Sequence, residues 1–212
     1  MKQNDLPKEI AVFPLSNAIF FPRTILPLNI FEERYIQLIN DCMKSERLFG
    51  MVQPKIKKGK LIEVYKVGCL GKIISFNETE DNRFIINLSG IIRFKIKEEV
   101  NSEKLYRKFN VNYADFIEDL NIKNKEISNA YKKDFLKKIK IFFEKINYSI
   151  EIDELMKLNF DQLISTVSMI APFTVEEKQK IMETIKFEEK IKTLEKIINF
   201  NLIDNNQNKT IQ

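Results

Sequence analysis

Two hydrophobic periodicities divide the chain. From Ile10 to about Phe116 apolar residues recur mostly at every second position, and after Leu120 they recur at helical spacing. The clearest alternation is RFIINLSGIIRFKIKEEV, in which Phe84, Ile86, Leu88, Ile92, Phe94 and Ile96 share one face. Asn87, Ser89, Arg93, Lys95 and Lys97 fall on the other, so the pattern predicts a strand with a core side and a wet side. Gly90 in its middle predicts a bulge or bend, the device that curls a sheet. Upstream, LIEVYKVGCLGKIISF reads as another strand bent at Gly68 and Gly71, joined to the next through the turn ETEDNR. With LFGMVQP and LYRKFNVNYADF, these segments predict a small, closed or nearly closed antiparallel barrel.

One helix interrupts the strands. Phe31, Tyr35, Leu38, Ile39, Cys42 and Met43 recur at helical spacing, while Glu32, Glu33, Arg34, Gln37 and Asp41 lie largely off that face. Asn29 followed by Glu32 fits a capping box at its start. Just before it, Pro22 and Pro27 fix their own φ and push Phe21 and Leu26 toward extended geometry, so RTIL between them is predicted to be a stiffened loop. The run from Phe20 to Ile25 then becomes an apolar strap over an open end of the barrel, with any side chain left exposed available for binding.

Beyond the polar junction LNIKNKE, residues 124–147 predict an amphipathic helix with Ile127, Tyr131, Phe135, Ile139, Phe142 and Ile146 in one stripe. Lys133, Lys137 and Lys140 lie opposite, in the manner of a solvated face. Three shorter helices follow, over about 159–171, 174–185 and 186–200; Thr174 with Glu177 forms a capping box right after Pro172. The expected organisation is a barrel subdomain over 1–120, a helical bundle over 121–204 and a fraying tail over 205–212.

Composition narrows the function. At 212 residues with 44% hydrophobic and 31% charged side chains, the chain has the make-up of an ordinary globular protein. Its net charge of +5 invites a nucleic-acid reading, but residues 121–147 hold eight lysines against three acids, which accounts for the whole excess. Cys42 and Cys69 sit in apolar patterns without CxxC spacing, as expected of buried reduced thiols. Prolines and polar residues break the apolar region from Ile10 to Phe31, so it cannot form the roughly 20-residue helix a bilayer requires. No signal-peptide pattern opens the chain, and a cytoplasmic location without membrane contact is expected.

Catalytic apparatus is not legible. There is no histidine, the commonest general base and metal ligand; neither a phosphate-binding GxxxxGK[ST] nor a GxGxxG occurs. Pairs such as Glu32/Glu33 and Glu98/Glu99 point apart on regular elements. A non-enzyme without cofactor or metal is the expectation.

The opening IAVFPLSNAIFFPRTILPLNIFEERYIQLINDCMKSERLFGMV resembles the Lon protease N-terminal (substrate-binding) domain family. An FPL motif, a later FP, a PL-x-IFE-x-RY signature and a terminal FG recur there in that order. Phe13, Pro14, Leu15, Phe21, Pro22, Leu26, Pro27, Leu28, Ile30, Phe31, Glu32, Arg34, Tyr35, Leu48, Phe49 and Gly50 carry the likeness. VGCLGKI, with Gly68, and the segment GIIRF, with Gly90, are similar to later family segments, as are EEKQKIME and KFEEKIKTLEKII. Asn29 stands where the family usually has His, and Lys190 where it favours Arg.

The resemblance implies an α+β fold: a PUA-like antiparallel β pseudo-barrel with one inserted helix, then a C-terminal helical bundle. It further implies a non-catalytic module that captures unfolded or degron-bearing polypeptides, or acts as an adaptor in protein quality control, with a protease as a further partner. No segment resembles the ATPase or peptidase modules of a full Lon protease, so neither unfolding nor proteolysis is carried over and a stand-alone member is expected. Candidate polypeptide contacts are Phe20, Phe21, Arg23, Ile25, Phe76 and Arg83; Pro14, Pro22, Pro27, Phe31, Glu32, Arg34, Tyr35, Gly50, Gly68 and Gly90 are expected to be mainly structural. The rival reading is RNA binding by the lysine-rich helix 124–147 of a PUA-like protein.

Overall fold

The long alternating run is realised as one strand. A computed structural model describes residues 2–16, 18–57, 60–121 and 127–207, and the chain divides into two units, Met1–Ile122 and Lys123–Gln212. The strands of the first unit are Glu9–Pro14 (β1), Ile25–Ile30 (β2), Leu48–Val52 (β3), Pro54–Lys57 (β4), Lys60–Val64 (β5), Val67–Glu78 (β6), Phe84–Val100 (β7) and Arg107–Asn112 (β8). Six of them form one sheet in the order β2-β7-β6-β3-β1-β8, which closes on itself because β7 also pairs with β8. The antiparallel hairpin β4–β5 stands as a separate two-stranded sheet.

The barrel is mixed rather than purely antiparallel. β1 and β3 run parallel, with Val12 opposite Gly50, whereas the other pairings are antiparallel. A parallel pair needs a crossover of a dozen or more residues, and the segment from Leu15 to Arg47 supplies it, carrying β2 and the helix Glu33–Met43 (α1). The architecture is α+β, as expected.

Burial follows the alternation in β7: Phe84, Ile86, Leu88, Ile92, Phe94 and Ile96 are all in the core. The register between β6 and β7 shifts where Leu70 faces Ile92 and Gly71 faces Gly90, which places the bulge beside Gly90. Gly90 serves a second purpose, because a Cβ there would overlap the carbonyl oxygen of Phe21. That close approach lets the Arg23 amide donate to the Gly90 carbonyl and the Gly90 amide donate to the Thr24 carbonyl, each at 2.9 Å.

Arg93, expected on the wet side of β7, is buried instead. A 3-10 segment, Ala114–Leu120, lies over that part of the strand, and the guanidinium donates to both carboxylate oxygens of Asp119 at 2.8 Å. The Arg93 backbone amide donates to the same carboxylate at 3.0 Å, and the Phe116 ring stacks 4.4 Å from the guanidinium. Paired, hydrogen-bonded and stacked, the charge is tolerated where an isolated one would not be.

The start of α1 also differs from expectation. Asn29 lies within β2 and Glu32 occupies the cap position, so the Asn29–Glu32 capping box does not form. Tyr35, Leu38, Ile39 and Cys42 are the helix's buried residues. Tyr35 packs on Phe13 with centroids 3.9 Å apart and donates to the Pro14 carbonyl at 3.4 Å, which fixes the helix against β1.

Both cysteines are buried and neither is in a disulfide. Burial, with the neighbouring Asp41 carboxylate, pushes the Cys42 thiol up to about 12, leaving almost no thiolate at neutral pH. Alkylation with iodoacetamide at pH 8 should leave native Cys42 unmodified over a period in which the urea-unfolded chain is fully labelled. Mass spectrometry of the quenched samples checks this, and rapid native labelling would contradict the burial.

In the second unit the helices are Asn129–Lys145 (α2), Ile152–Lys157 (α3), Phe160–Ile170 (α4), Val175–Glu183 (α5) and Phe187–Gln207 (α6). Ser128 and Asn159 cap α2 and α4, and Thr174 with Glu177 forms the predicted capping box on α5. Phe135, Ile139 and Phe142 of the predicted stripe are buried, joined by Leu136 and Phe143, while Tyr131 is partly exposed. The short α3 escaped the sequence pattern because one and a half turns hold too few apolar positions to show a period. Residues 124–126 of the predicted lysine helix and residues 208–212 of the predicted tail lie outside the described residues, and 205–207 continue α6. Lys190 is buried within α6.

Candidate functional site

The strap folds differently from the predicted loop. Phe20 and Phe21 are buried, with Phe21 wholly inaccessible, so neither can be a contact residue. A β-turn over Phe21–Thr24 follows, in which Pro22 presets φ and Arg23 takes φ +64°, the arrangement of a type II turn. A positive φ is unfavourable for a side chain as long as arginine. It is held by the amide bond to Gly90 and by the guanidinium, which donates to the carbonyls of Asp119 at 3.2 Å and Asn121 at 2.6 Å. Arg23 thus ties the turn to the end of the 3-10 segment, which is a structural role rather than the expected contact role.

After that turn the chain is a strand, and Pro27 lies inside it. Among the described residues β2 pairs with β7 alone, with Ile25 opposite Ser89 and Ile30 opposite Phe84. Because the Gly90 amide bonds the Thr24 carbonyl, the alternation of an antiparallel ladder turns the backbone groups of Leu26, Leu28 and Ile30 toward β7. Those of Ile25, Pro27 and Asn29 turn away. Proline is compatible with this position because the N–H it lacks belongs to the open edge.

The same alternation sorts the side chains. Leu28 and Ile30 enter the core; Ile25, Pro27 and Asn29 are exposed, and Phe31, just past the strand, is 62% exposed. Ile25 is 55% and Ile85 47% exposed. Ile85 faces Asn29 across the strand pair, so Pro27 and Phe31 are its diagonal neighbours on the outer surface. Phe31, grouped by sequence with the structural residues, is instead the most exposed large side chain of this face. Ile74, at the irregularity in β6, is also exposed.

At one end of this face lies the turn between β6 and β7. Phe76 is 37% exposed and packs its ring 4.9 Å from that of Phe84. The Arg83 guanidinium sits 6.0 Å from the Phe31 ring and bonds Asp81 at 2.8 Å. Thr79, hydrogen-bonded to the Asp81 carboxylate at 2.5 Å, holds that carboxyl below its usual range, with Arg83 adding to the effect. Arg34 donates to Glu32 at 2.7 and 2.9 Å. The structure thus brings Phe31, Arg83 and Ile85 together on the outer face at this end, with Ile25 at the other end of the same face and Phe76, paired with Ile86, on the inner side of the sheet. Phe31 and Ile85 were missed because the start of the helix was placed three residues early and β7 was read only for its inner face. The alternation of FIIN finds Ile85, between the core residues Phe84 and Ile86, whereas ILPLNIF is apolar in both phases and carries no local signal for Phe31.

The lysine-rich helix is engaged within its own unit. Lys132 donates to the carbonyls of Met156 and Leu158 at 2.8 and 2.6 Å, closing the C-terminus of α3. Lys138 pairs with Glu195 at 3.0 Å, and Lys145 donates to the Leu202 carbonyl. Lys137 and Lys140 have Asp134 and Glu144 one turn away. No helix among the described residues is long and apolar enough to cross a membrane.

Five strands close into a barrel with a sixth, β2, on its edge, and a separate helical unit follows along the chain. Residues 9–199 match the ATP-dependent protease La (LON) substrate-binding domain, and the chain belongs to that family. It is 27% identical over 208 residues to a Lon protease of Desulfosudis oleivorans, and 23% identical over 205 residues to one of Anaeromyxobacter dehalogenans. These alignments cover 93% and 94% of this chain but 24% of each relative; the chain spans about a quarter of the curated relatives it matches. A Lon N-terminal domain protein from Xanthomonas campestris superposes with a TM-score of 0.64 at 16% identity, covering 88% of this chain and 96% of that one. The N-terminal domain of a Mycobacterium avium complex Lon protease gives 0.64 at 15% identity, covering 91% and 98%. At such identities these two establish the fold.

Proposed function

We propose that the first unit is a non-catalytic binding module for unfolded or tagged polypeptides, acting in protein quality control as a capture or adaptor domain with a protease among its partners. The observation that carries this reading is the outer face of β2 and β7, along which Ile25, the exposed Pro27, Ile85 and Phe31 follow one another, Ile25, Ile85 and Phe31 being about half or more exposed. Isolated exposed apolar residues need no explanation, but a contiguous group on one rigid sheet marks an interaction surface. Family membership supplies the class of ligand, since the matched domain is described as substrate-binding. Covering a side chain such as Phe31 contributes about 1.5–3 kcal/mol, so affinity comes from a few apolar anchors and selectivity is broad.

The test is titration of the full chain with a permanently unfolded, fluorescently labelled polypeptide across salt concentrations, beside a labelled RNA. Binding that tolerates salt and weakens tenfold or more in Phe31→Ser or Ile85→Ser, with circular dichroism unchanged, is expected. Unaltered affinity in both variants would remove the site. Binding to RNA alone, lost steeply as salt rises, would move the function to α2.

A further inference from the structure

The exposed face ends at a strand that has only one neighbour. Among the described residues no strand pairs with the second edge of β2, and the amides of Ile25 and Asn29, with the carbonyls of Ile25, Pro27 and Asn29, face that edge. These are the residues whose side chains are exposed on the outer surface. α1, which follows directly, packs through Tyr35 toward β1, not along β2. An unpaired edge of this kind is a template for a further strand.

Charge distinguishes its two ends. Beside the C-terminal end of β2, the turn at 78–83 and the first residues of α1 bring together Glu78, Glu80, Asp81, Glu32 and Glu33 against Arg83 and Arg34. Five carboxylates against two guanidiniums leave this end acidic, and both arginines already pair within it. An antiparallel second copy of β2 would bring to this end only its Arg23, whose guanidinium is already engaged with the Asp119 and Asn121 carbonyls. An incoming segment of complementary charge carries lysine or arginine there.

We propose that the bound polypeptide is recognised as an added β-strand, running antiparallel to β2, with apolar side chains at alternate positions and basic residues at its N-terminal end. This rests on the polypeptide-binding reading above and specifies the ligand for the same face. The antiparallel direction follows from the better pairing per residue and sets the segment's N-terminus beside the acidic end. Residues exchanging bonds with Ile25 and Asn29 place their side chains on the outer surface, against Ile25, Pro27, Phe31 and Ile85. Pro27 leaves a gap of one donor in the ladder, so the partner needs no acceptor at the position opposite it.

The experiment uses the full chain and a short acetylated peptide that begins with two lysines and then alternates valine or phenylalanine with serine. Two further versions carry backbone N-methyl groups, one on the apolar residues and one on the serines. Fluorescence anisotropy should show a tenfold or greater loss of affinity for the first and little change for the second. Exchanging the lysines for glutamates should weaken binding severalfold at low salt, with the difference shrinking as salt rises. Equal tolerance of both N-methylated peptides, with binding still lost in Phe31→Ser, would overturn strand addition while leaving apolar capture standing. If neither the unmodified peptide nor the unfolded polypeptide binds, both readings fall.

Discussion

Asp119→Ala is expected to destabilise the first unit by about 3–5 kcal/mol, the cost of leaving a buried guanidinium without its partner. Asp119 gives both carboxylate oxygens to Arg93, which is 2% exposed. Its removal strands a charge beneath the 3-10 segment and also frees a backbone amide that the carboxylate had accepted from. Against a total stability of about 5–15 kcal/mol, the urea midpoint should fall by about a fifth or more. The double variant Arg93→Met/Asp119→Leu separates lost pairing from stranded charge and should recover part of that loss, because buried ion pairs replace well with apolar groups of similar volume. A single variant as stable as the parent would show that the pair is solvated.

Phe21→Ala is the second large effect, expected to cost about 3–5 kcal/mol through lost burial and the cavity left behind. Phe21 is fully enclosed, and its carbonyl accepts from the Thr24 hydroxyl at 2.7 Å, beneath the turn that positions β2. Differential scanning calorimetry should show a markedly lower transition, while Phe31→Ser, which removes a largely exposed ring, should leave it within a degree or two. Loss of polypeptide binding in Phe21→Ala at a temperature where the variant has melted reports the fold, not the contact surface. Equal transitions for the two variants would mean that Phe21 is not part of the core.

The alternation in β7 was legible because one face of it is uniformly buried and the sequence need only repeat every second residue. The capping box on α5 was equally local, since Thr174 and Glu177 satisfy each other's backbone. β2 was not legible because ILPLNIF is apolar in both phases, and because a proline argues against a strand unless the strand lies on an edge. That edge position depends on pairing with residues about sixty positions away, which no local window contains. Arg93 was misplaced for a related reason. Its alternation is correct, but Ala114–Leu120 covers the outer side of β7 at that point, and only tertiary structure supplies the cover. The contact residues divided accordingly: Ile25 and Arg83 lie at the exposed face, Phe76 sits on the inner side beside Phe84, and Phe20, Phe21 and Arg23 belong to the support beneath the face.

The closure of the sheet also sets an order of events during synthesis. β8 bonds to β1 on one side and to β7 on the other, so the ring stays open until residues 107–112 have left the ribosome. Until then β1 and the C-terminal half of β7 present bare edges, and the parallel contact of β1 with β3 must await the entire crossover between them. Pairings of such long sequence separation form slowly. A nascent chain paused before Arg107 should therefore be protease-sensitive, and one that has cleared Leu120 should already hold a finished barrel while its helices are still being translated.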